Sequence, residues 1–263
     1  MNPFPEELYS LACKIAVVAD HGGTGGAEVS DLLLRSGATV FLLDSDQAAR
    51  DRATTILARH AAFHTADVDV RDEAQVTAFF AQQAEAGGVD VTVILPAYYS
   101  NRSLLDVTAQ QWETSQKLNL WAPLVCLREA VRAMTATGRG GSIVTVSTIG
   151  SLVPVLRGNS VYGATRGGVT NMTKAAALEY APAGIRVNCV LVGAVEGKFI
   201  DEEGTRERRM SGEITGPIRE PGRLPMGRGD LGDVAAAVHF LAAPASKYIT
   251  GQALAVEGGF LLT

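Results

Sequence analysis

The stretch Ile15-Ala16-Val17-Val18-Ala19-Asp20-His21-Gly22-Gly23-Thr24-Gly25-Gly26 decides the fold. Its first five residues are an apolar, β-branched run of strand length. The glycine cluster then hands over to residues 26–36, which have helical character and end at Gly37, where a C-terminal glycine belongs. A glycine-rich turn between strand and helix lets backbone N–H groups approach a pyrophosphate, and the helix N-terminus adds partial positive charge. The same cluster also reads as a merely tight turn. Eighteen residues past Gly26, a second apolar run closes on Asp44. An acid there binds adenosine ribose hydroxyls and repels a 2′-phosphate, favouring NAD over NADP; it reads equally as an exposed Asp capping the next helix.

Working outward, the pattern repeats. Apolar runs at 39–43, 91–95, 142–146 and 185–190, a weaker one over 62–68 and a last one at 253–256 alternate with helical stretches. The helical stretches are 46–60, 73–86, 108–136, 160–181 and 231–243, and Thr108 with Gln111 forms a capping box. Near-continuous apolar strands separated by helices predict an α/β fold, a doubly wound parallel sheet of about seven strands covered on both faces. No linker or repeat divides residues 1–263, so a single domain is expected. The irregular stretch at about 194–228, mixed in charge and rich in proline and glycine, is the kind of long loop that serves as an active-site lid.

Composition narrows the function classes. A net charge of −5 argues against nucleic acid as partner. No apolar run reaches the ~18 residues of a membrane span, and the first seven residues carry no export signal. Three cysteines far apart (Cys13, Cys126, Cys189) fit a reducing compartment, so a cytoplasmic protein is expected. His21, His60, His64 and His239 have no ligand spacing, so no metal is expected. Asp201, Glu202 and Glu203 read as solvated helix surface.

Tyr162 and Arg166 lie four apart at a helix start and share a face. A guanidinium beside a phenol lowers the phenol pKa, although such a pair also arises from packing plus a surface cation. Ser147 and Thr148 end the strand before it, where a hydroxyl orients a substrate oxygen. Asn119 lies in a helix, where a buried Asn commonly satisfies backbone groups.

Together these residues resemble the short-chain dehydrogenase/reductase family over essentially the whole chain. The family order is followed by Gly141-Ser142-Ile143-Val144, Ser147-Thr148, Tyr162-Gly163-Ala164-Thr165-Arg166 and Ala181-Pro182-Ala183-Gly184-Ile185-Arg186-Val187-Asn188. Pro225-Met226-Gly227-Arg228 and the run from Tyr248 to Gly259 continue it. The resemblance implies a Rossmann-like domain and an NAD-linked alcohol/ketone oxidoreductase. Its acid/base would be Tyr162, with Thr148 (or Ser147) on the substrate oxygen, Arg166 at the family's lysine position and Asn119 at the relay Asn. Gly26, Asp44, Asp69 and Val70 would bind the cofactor.

The departures cluster on the cofactor. Three family glycines fall on Asp20, Thr24 and Gly26, so only the last is kept. A carboxylate at position 20 is expected near the pyrophosphate, where like charges repel. The family's Asn-Asn-Ala-Gly segment becomes Ile94-Leu95-Pro96-Ala97, and its Pro-Gly becomes Val192-Gly193. Arg166 cannot shuttle a proton, since a guanidinium holds its proton to above pH ~12. The expectation is a cofactor-degenerate subunit, with NAD binding to this chain in doubt, that scaffolds an active paralogous subunit in a dimer or tetramer. Its substrate would be a small molecule or an acyl-CoA. The dehydrogenase of anaerobic toluene breakdown, acting on a benzylsuccinate-derived hydroxyacyl-CoA, is one such pattern, and this chain resembles its degenerate kind. The alternatives are a self-sufficient NAD-dependent alcohol dehydrogenase or ketone reductase using Tyr162 with Thr148 and Arg166, and a cofactor-free lyase or isomerase using Tyr162.

Overall fold

The apolar runs form strands because β-branched side chains fit a pleated surface that is buried on both sides. The computed structural model describes residues 5–196 and 205–263. In chain order the elements are α1 (Pro5–Tyr9), β1 (Ile15–Ala19), α2 (Gly26–Arg35), β2 (Thr39–Leu43), α3 (Gln47–Leu57), β3 (Phe63–Ala66), α4 (Glu73–Glu85) and β4 (Val91–Ile94). They continue with α5 (Ala109–Gln116), a π turn (Lys117–Trp121), α6 (Ala122–Thr137), β5 (Gly141–Thr148), α7 (Ser160–Tyr180) and β6 (Ile185–Val192). Last come α8 (Thr205–Met210), α9 (Leu231–Ala242) and β7 (Ala253–Val256).

All seven strands are parallel, in the order β3-β2-β1-β4-β5-β6-β7. The expected doubly wound sheet is present. Successive residues of one strand feed opposite cores. Val18 packs with Leu33, Val93 and Val238 under α2 and α9, while Val17 packs with Phe80, Val125 and Met134 under α4 and α6. The strand order reverses between β1 and β4, and such a reversal opens a crevice at the carboxyl ends of the strands.

Local chemistry sets the element ends. Gly37 takes φ +97°, and a Cβ there would lie 3.1 Å from the Ala12 Cα, so only glycine suits this exit from α2. Asp46 caps α3 by accepting from the Ala49 N–H, and Asp72 caps α4. The Thr108–Gln111 capping box forms as expected. Thr108→Ala should therefore lower stability by about 1 kcal/mol in urea denaturation, with the m-value unchanged.

The helix expected over 108–136 is broken by the π turn at Lys117–Trp121. Its Asn119 amide clamps the Tyr98 main chain, donating to the Tyr98 carbonyl at 2.9 Å and accepting from its N–H at 2.7 Å. That extra residue per turn aims Asn119 at the ends of the strands. The strands expected at 142–146 and 185–190 each run on to Thr148 and Val192. The irregular stretch holds α8, a 3₁₀ turn at Pro217–Arg219 and Ile214, which is buried. The charge run Asp201-Glu202-Glu203 lies outside the described residues. Among the described residues no helix is long and apolar enough to cross a membrane.

Candidate active site and its glycine turn

The first turns of a helix carry N–H groups without intrahelical partners and a partial positive charge, so any nearby anion gathers there. In this chain the anion is its own. Asp20 is buried, and its Oδ1 accepts from the His21 N–H at 2.8 Å, the Thr24 N–H at 3.1 Å and the Thr24 hydroxyl. Oδ2 accepts from the Gly26 N–H at 2.9 Å. The carboxylate expected near the pyrophosphate is thus buried under the turn, bonded to the turn's own N–H groups. Burial pushes its pKa up, against the hydrogen bonds from Thr24 and His21. Gly26 is the one family glycine that this arrangement also requires. A Cβ there would lie 2.5 Å from the Asp20 Oδ2 and 2.7 Å from the Leu42 Cδ1.

Asp44 is buried as well. Its Oδ2 accepts from the Gly23 N–H at 3.1 Å and its Oδ1 from the Asp46 N–H at 2.9 Å. The reading of Asp44 as an exposed helix cap is corrected: Asp46 caps α3, and Asp44 ties the turn to the end of β2. Gly23, at φ +75°, lies close against Ala49 and the Arg52 guanidinium of α3. Asp69 holds Arg71 through both carboxylate oxygens, and this pairing keeps its pKa low. Val70 is core. His21 sits among the charges of Arg71, Asp44, Asp69 and Asp20, with burial the main force pulling its pKa down.

At the other end of the crevice, Arg166 is 1% exposed, so the surface-cation reading of the Tyr–Arg pair fails. Its Nη1 donates to the Pro96 carbonyl at 2.9 Å and the Asn119 carbonyl at 3.3 Å, and its Nη2 to the Val146 carbonyl. These partners gather the ends of β4 and β5 and the π turn around one cation. Ser147 donates to the Arg166 carbonyl at 2.9 Å and accepts from Thr170, which ties β5 to α7, and it also lines the cavity next to Thr148. The Thr148 Oγ1 accepts from the Gly150 N–H, which leaves its own hydroxyl proton for a ligand.

Tyr162 lies against Tyr99, ring edge to ring face with centroids 5.1 Å apart. The expected lowering of its pKa by Arg166 is overturned. Burial is the larger effect and pushes the phenol up, with Arg166 opposing it. In the fold the neutral phenol is favoured, whereas the unfolded chain ionises near the ordinary value of 10. Wild type should therefore lose stability relative to Tyr162→Phe as pH rises from about 10 to the folded-state value. Ultraviolet difference titration of the two proteins checks the sign; a midpoint below 10 would contradict it.

Tyr162, Thr148 and Arg166 line one cavity of about 170 Å³, with walls of Val29, Leu95, Val146, Val192, Val195 and Leu231. Thr24 and Gly25 reach its edge, but Asp44, Asp69 and Val70 do not line it. The structure thus brings Tyr162, Thr148 and Arg166 together, with the Asn119 carbonyl on Arg166, and leaves the adenosine-side residues apart from them. Sequence reasoning missed Asn159 and Tyr99, which also line the cavity, and Arg219 and Arg228 at its rim. An Asn ahead of a helix reads as a cap, and nothing in the sequence marks it otherwise.

Comparison with known proteins finds relatives over nearly the whole chain. The family model described as Enoyl-(Acyl carrier protein) reductase matches residues 22–261. Galactitol 2-dehydrogenase (L-tagatose-forming) of Cereibacter sphaeroides is 32% identical over 254 residues, covering 96% of this chain and 97% of the relative. Cis-4-hydroxycyclohexanecarboxylate dehydrogenase of Sinomonas cyclohexanicum is 33% identical over 255 residues, covering 95% and 98%. The crystal structure of carveol dehydrogenase from Mycobacterium avium in complex with NAD superposes with a TM-score of 0.84 at 24% identity, covering 96% of this chain and 99% of that one.

Proposed function

The chain belongs to the short-chain dehydrogenase/reductase family, a family of oxidoreductases, and from that premise we propose that it is a subunit whose own cofactor site is degenerate. Its role is to scaffold an active paralogous subunit, in an assembly that oxidises an alcohol or reduces a ketone with NAD. One observation carries this reading: the groups that would grip a dinucleotide already grip each other. The N–H groups of His21, Thr24 and Gly26 donate to Asp20, and both oxygens of Asp44 accept from the main chain. A pyrophosphate brought to this turn would displace a buried carboxylate of its own sign. In this arrangement the glycine turn does not offer its Thr24 and Gly26 N–H groups to a pyrophosphate, so we route no hydride step through the chain's own residues. Roles for Tyr162, Thr148, Arg166 and Asn119 as catalytic groups, and for Gly26, Asp44, Asp69 and Val70 as cofactor ligands, belong to the self-sufficient alternative.

The family's long helices and C-terminal segment, kept here over 109–137, 160–180 and 253–256, supply the surfaces for a homo- or hetero-oligomer with a paralogue. The stretch 194–228 flanks the cavity through Ile218, Arg219 and Arg228 and shapes what enters it. A hydroxyacyl-CoA substrate, as in the toluene-pathway enzyme whose degenerate subunit the chain resembles, and a cytoplasmic setting complete the reading. The test is co-production with an intact paralogue from the same genome. Tyr162→Phe in this chain should leave turnover of the mixed assembly within about two-fold. A loss of ten-fold or more would place the chemistry on this chain and favour the self-sufficient enzyme.

A further inference from the structure

Asp20 stands between opposing forces. Its carboxylate is 1% exposed, and its donors among the described residues are all neutral: the N–H groups of His21, Thr24 and Gly26 and the Thr24 hydroxyl. The neighbouring charge that acts on it is Asp44, equally buried and of like sign. One short turn holds both carboxylates, Asp44 through the Gly23 N–H. Burial and a like charge favour the neutral acid, while the hydrogen bonds favour the carboxylate. Burial is the largest of these effects.

Other charges surround the turn. His21 belongs to it, Arg52 of α3 lies against Gly23, and the Asp69–Arg71 pair follows β3. His21 feels both members of that pair as well as Asp44 and Asp20, and burial holds its pKa below the ordinary 6.5. It is therefore a second group of the turn that takes up a proton on acidification, and any test must separate the two.

We propose that Asp20 is a proton-operated lock on the glycine turn: its carboxylate holds the Thr24 and Gly26 N–H groups at neutral pH, and one proton taken from solvent releases them to the pyrophosphate of a dinucleotide. The inference rests on the reading of the turn given above and adds a condition under which the turn opens. A hydrogen bond to a carboxylate is about twice as strong as one to a neutral acceptor, so the neutral acid competes weakly for these N–H groups. Protonation also removes the like charge that a phosphate would meet. The acid group still fills the turn, so the gain stays below that of removing the side chain. Dinucleotide affinity then rises as pH falls through the folded-state pKa, by at most about ten-fold per pH unit for one proton. Because burial sets that pKa above the ordinary 3.8, the rise begins above the range of exposed aspartates.

The experiment titrates the purified full chain with NAD, and with adenosine, which lacks the pyrophosphate, between about pH 8 and about pH 5. Ligand-observed NMR reads the millimolar affinities involved. Wild-type affinity for NAD should rise at least ten-fold across this range, and that for adenosine should stay within two-fold. Asp20→Asn should be flat, matching at the upper pH what wild type reaches at the lower. His21→Gln should keep the rise. Should Asp20→Asn fail to fold, the carboxyl carbon resonance of Asp20 in wild type decides, with a midpoint expected above 3.8 that coincides with the rise in NAD affinity. The lock is overturned by a flat wild type, by an equal rise for adenosine, or by an Asp20 midpoint below 3.8. It is likewise overturned by a rise that persists in Asp20→Asn or vanishes in His21→Gln. Micromolar NAD affinity at the upper pH would instead overturn the closed turn itself, whereas weak binding there without a pH slope overturns the lock alone.

Discussion

Arg166→Met is expected to destabilise the fold by about 2–4 kcal/mol. The guanidinium donates to three separate main-chain segments, at Pro96, Asn119 and Val146. Removing it strips three carbonyls of a charged donor, and a buried group left without its partner costs about 1–3 kcal/mol. Relief from burying an uncompensated charge offsets part of that loss, which is why the sum is not larger. Arg166→Lys should fall between wild type and Arg166→Met, because an ammonium lacks the fork that spans several acceptors at once. It should also fail to confer dehydrogenase activity, since Asp20 still holds the N–H groups of Thr24 and Gly26. Urea denaturation gives the measurement, read as a shift of midpoint at constant m. A variant as stable as wild type would mean that the carbonyls find other donors and that Arg166 is not what joins the ends of β4 and β5.

The second large effect is a gain. Asp20→Gly with Thr24→Gly removes the internal carboxylate and the hydroxyl bonded to it, freeing the N–H groups of residues 24 and 26. If each change returns ~1–2 kcal/mol of contact to a pyrophosphate, the pair should raise NAD affinity by about two powers of ten. Asp20→Asn separates charge from occupancy, because the amide removes the negative charge but still fills the turn, and its gain should be smaller than the double variant's. Calorimetry on the double variant and Asp20→Asn decides it. Equal NAD affinity in wild type and double variant would show that Asp20 is not the obstacle.

Much of the architecture could be read from the chain because the interior of a doubly wound sheet tolerates little but Val, Ile, Leu and Ala. The runs at 15–19, 39–43 and 253–256 coincide with strands end to end. The Thr108–Gln111 box was legible for a similar reason, since its bonds join residues three apart and involve nothing else. Side-chain direction at the site was not legible. Whether Asp20 points at a ligand or back under the turn depends on which acceptor wins the N–H groups of Thr24 and Gly26, and that contest exists only in the folded turn. The surface-cation alternative for Arg166 stayed open in the sequence because burying a guanidinium needs acceptors, and those come from carbonyls 70, 47 and 20 residues away. The π turn escaped because one extra residue leaves the apolar period of 109–137 almost unchanged. Asn159 escaped because its type and place match a cap that it does not form.

We propose above that the dinucleotide side of the crevice is closed by the chain's own groups. Calorimetric titration of NAD into the purified chain, without any paralogue, tests it most directly. No binding heat below millimolar NAD and no dehydrogenase turnover are expected. A micromolar Kd, with turnover that disappears in Tyr162→Phe, would contradict it.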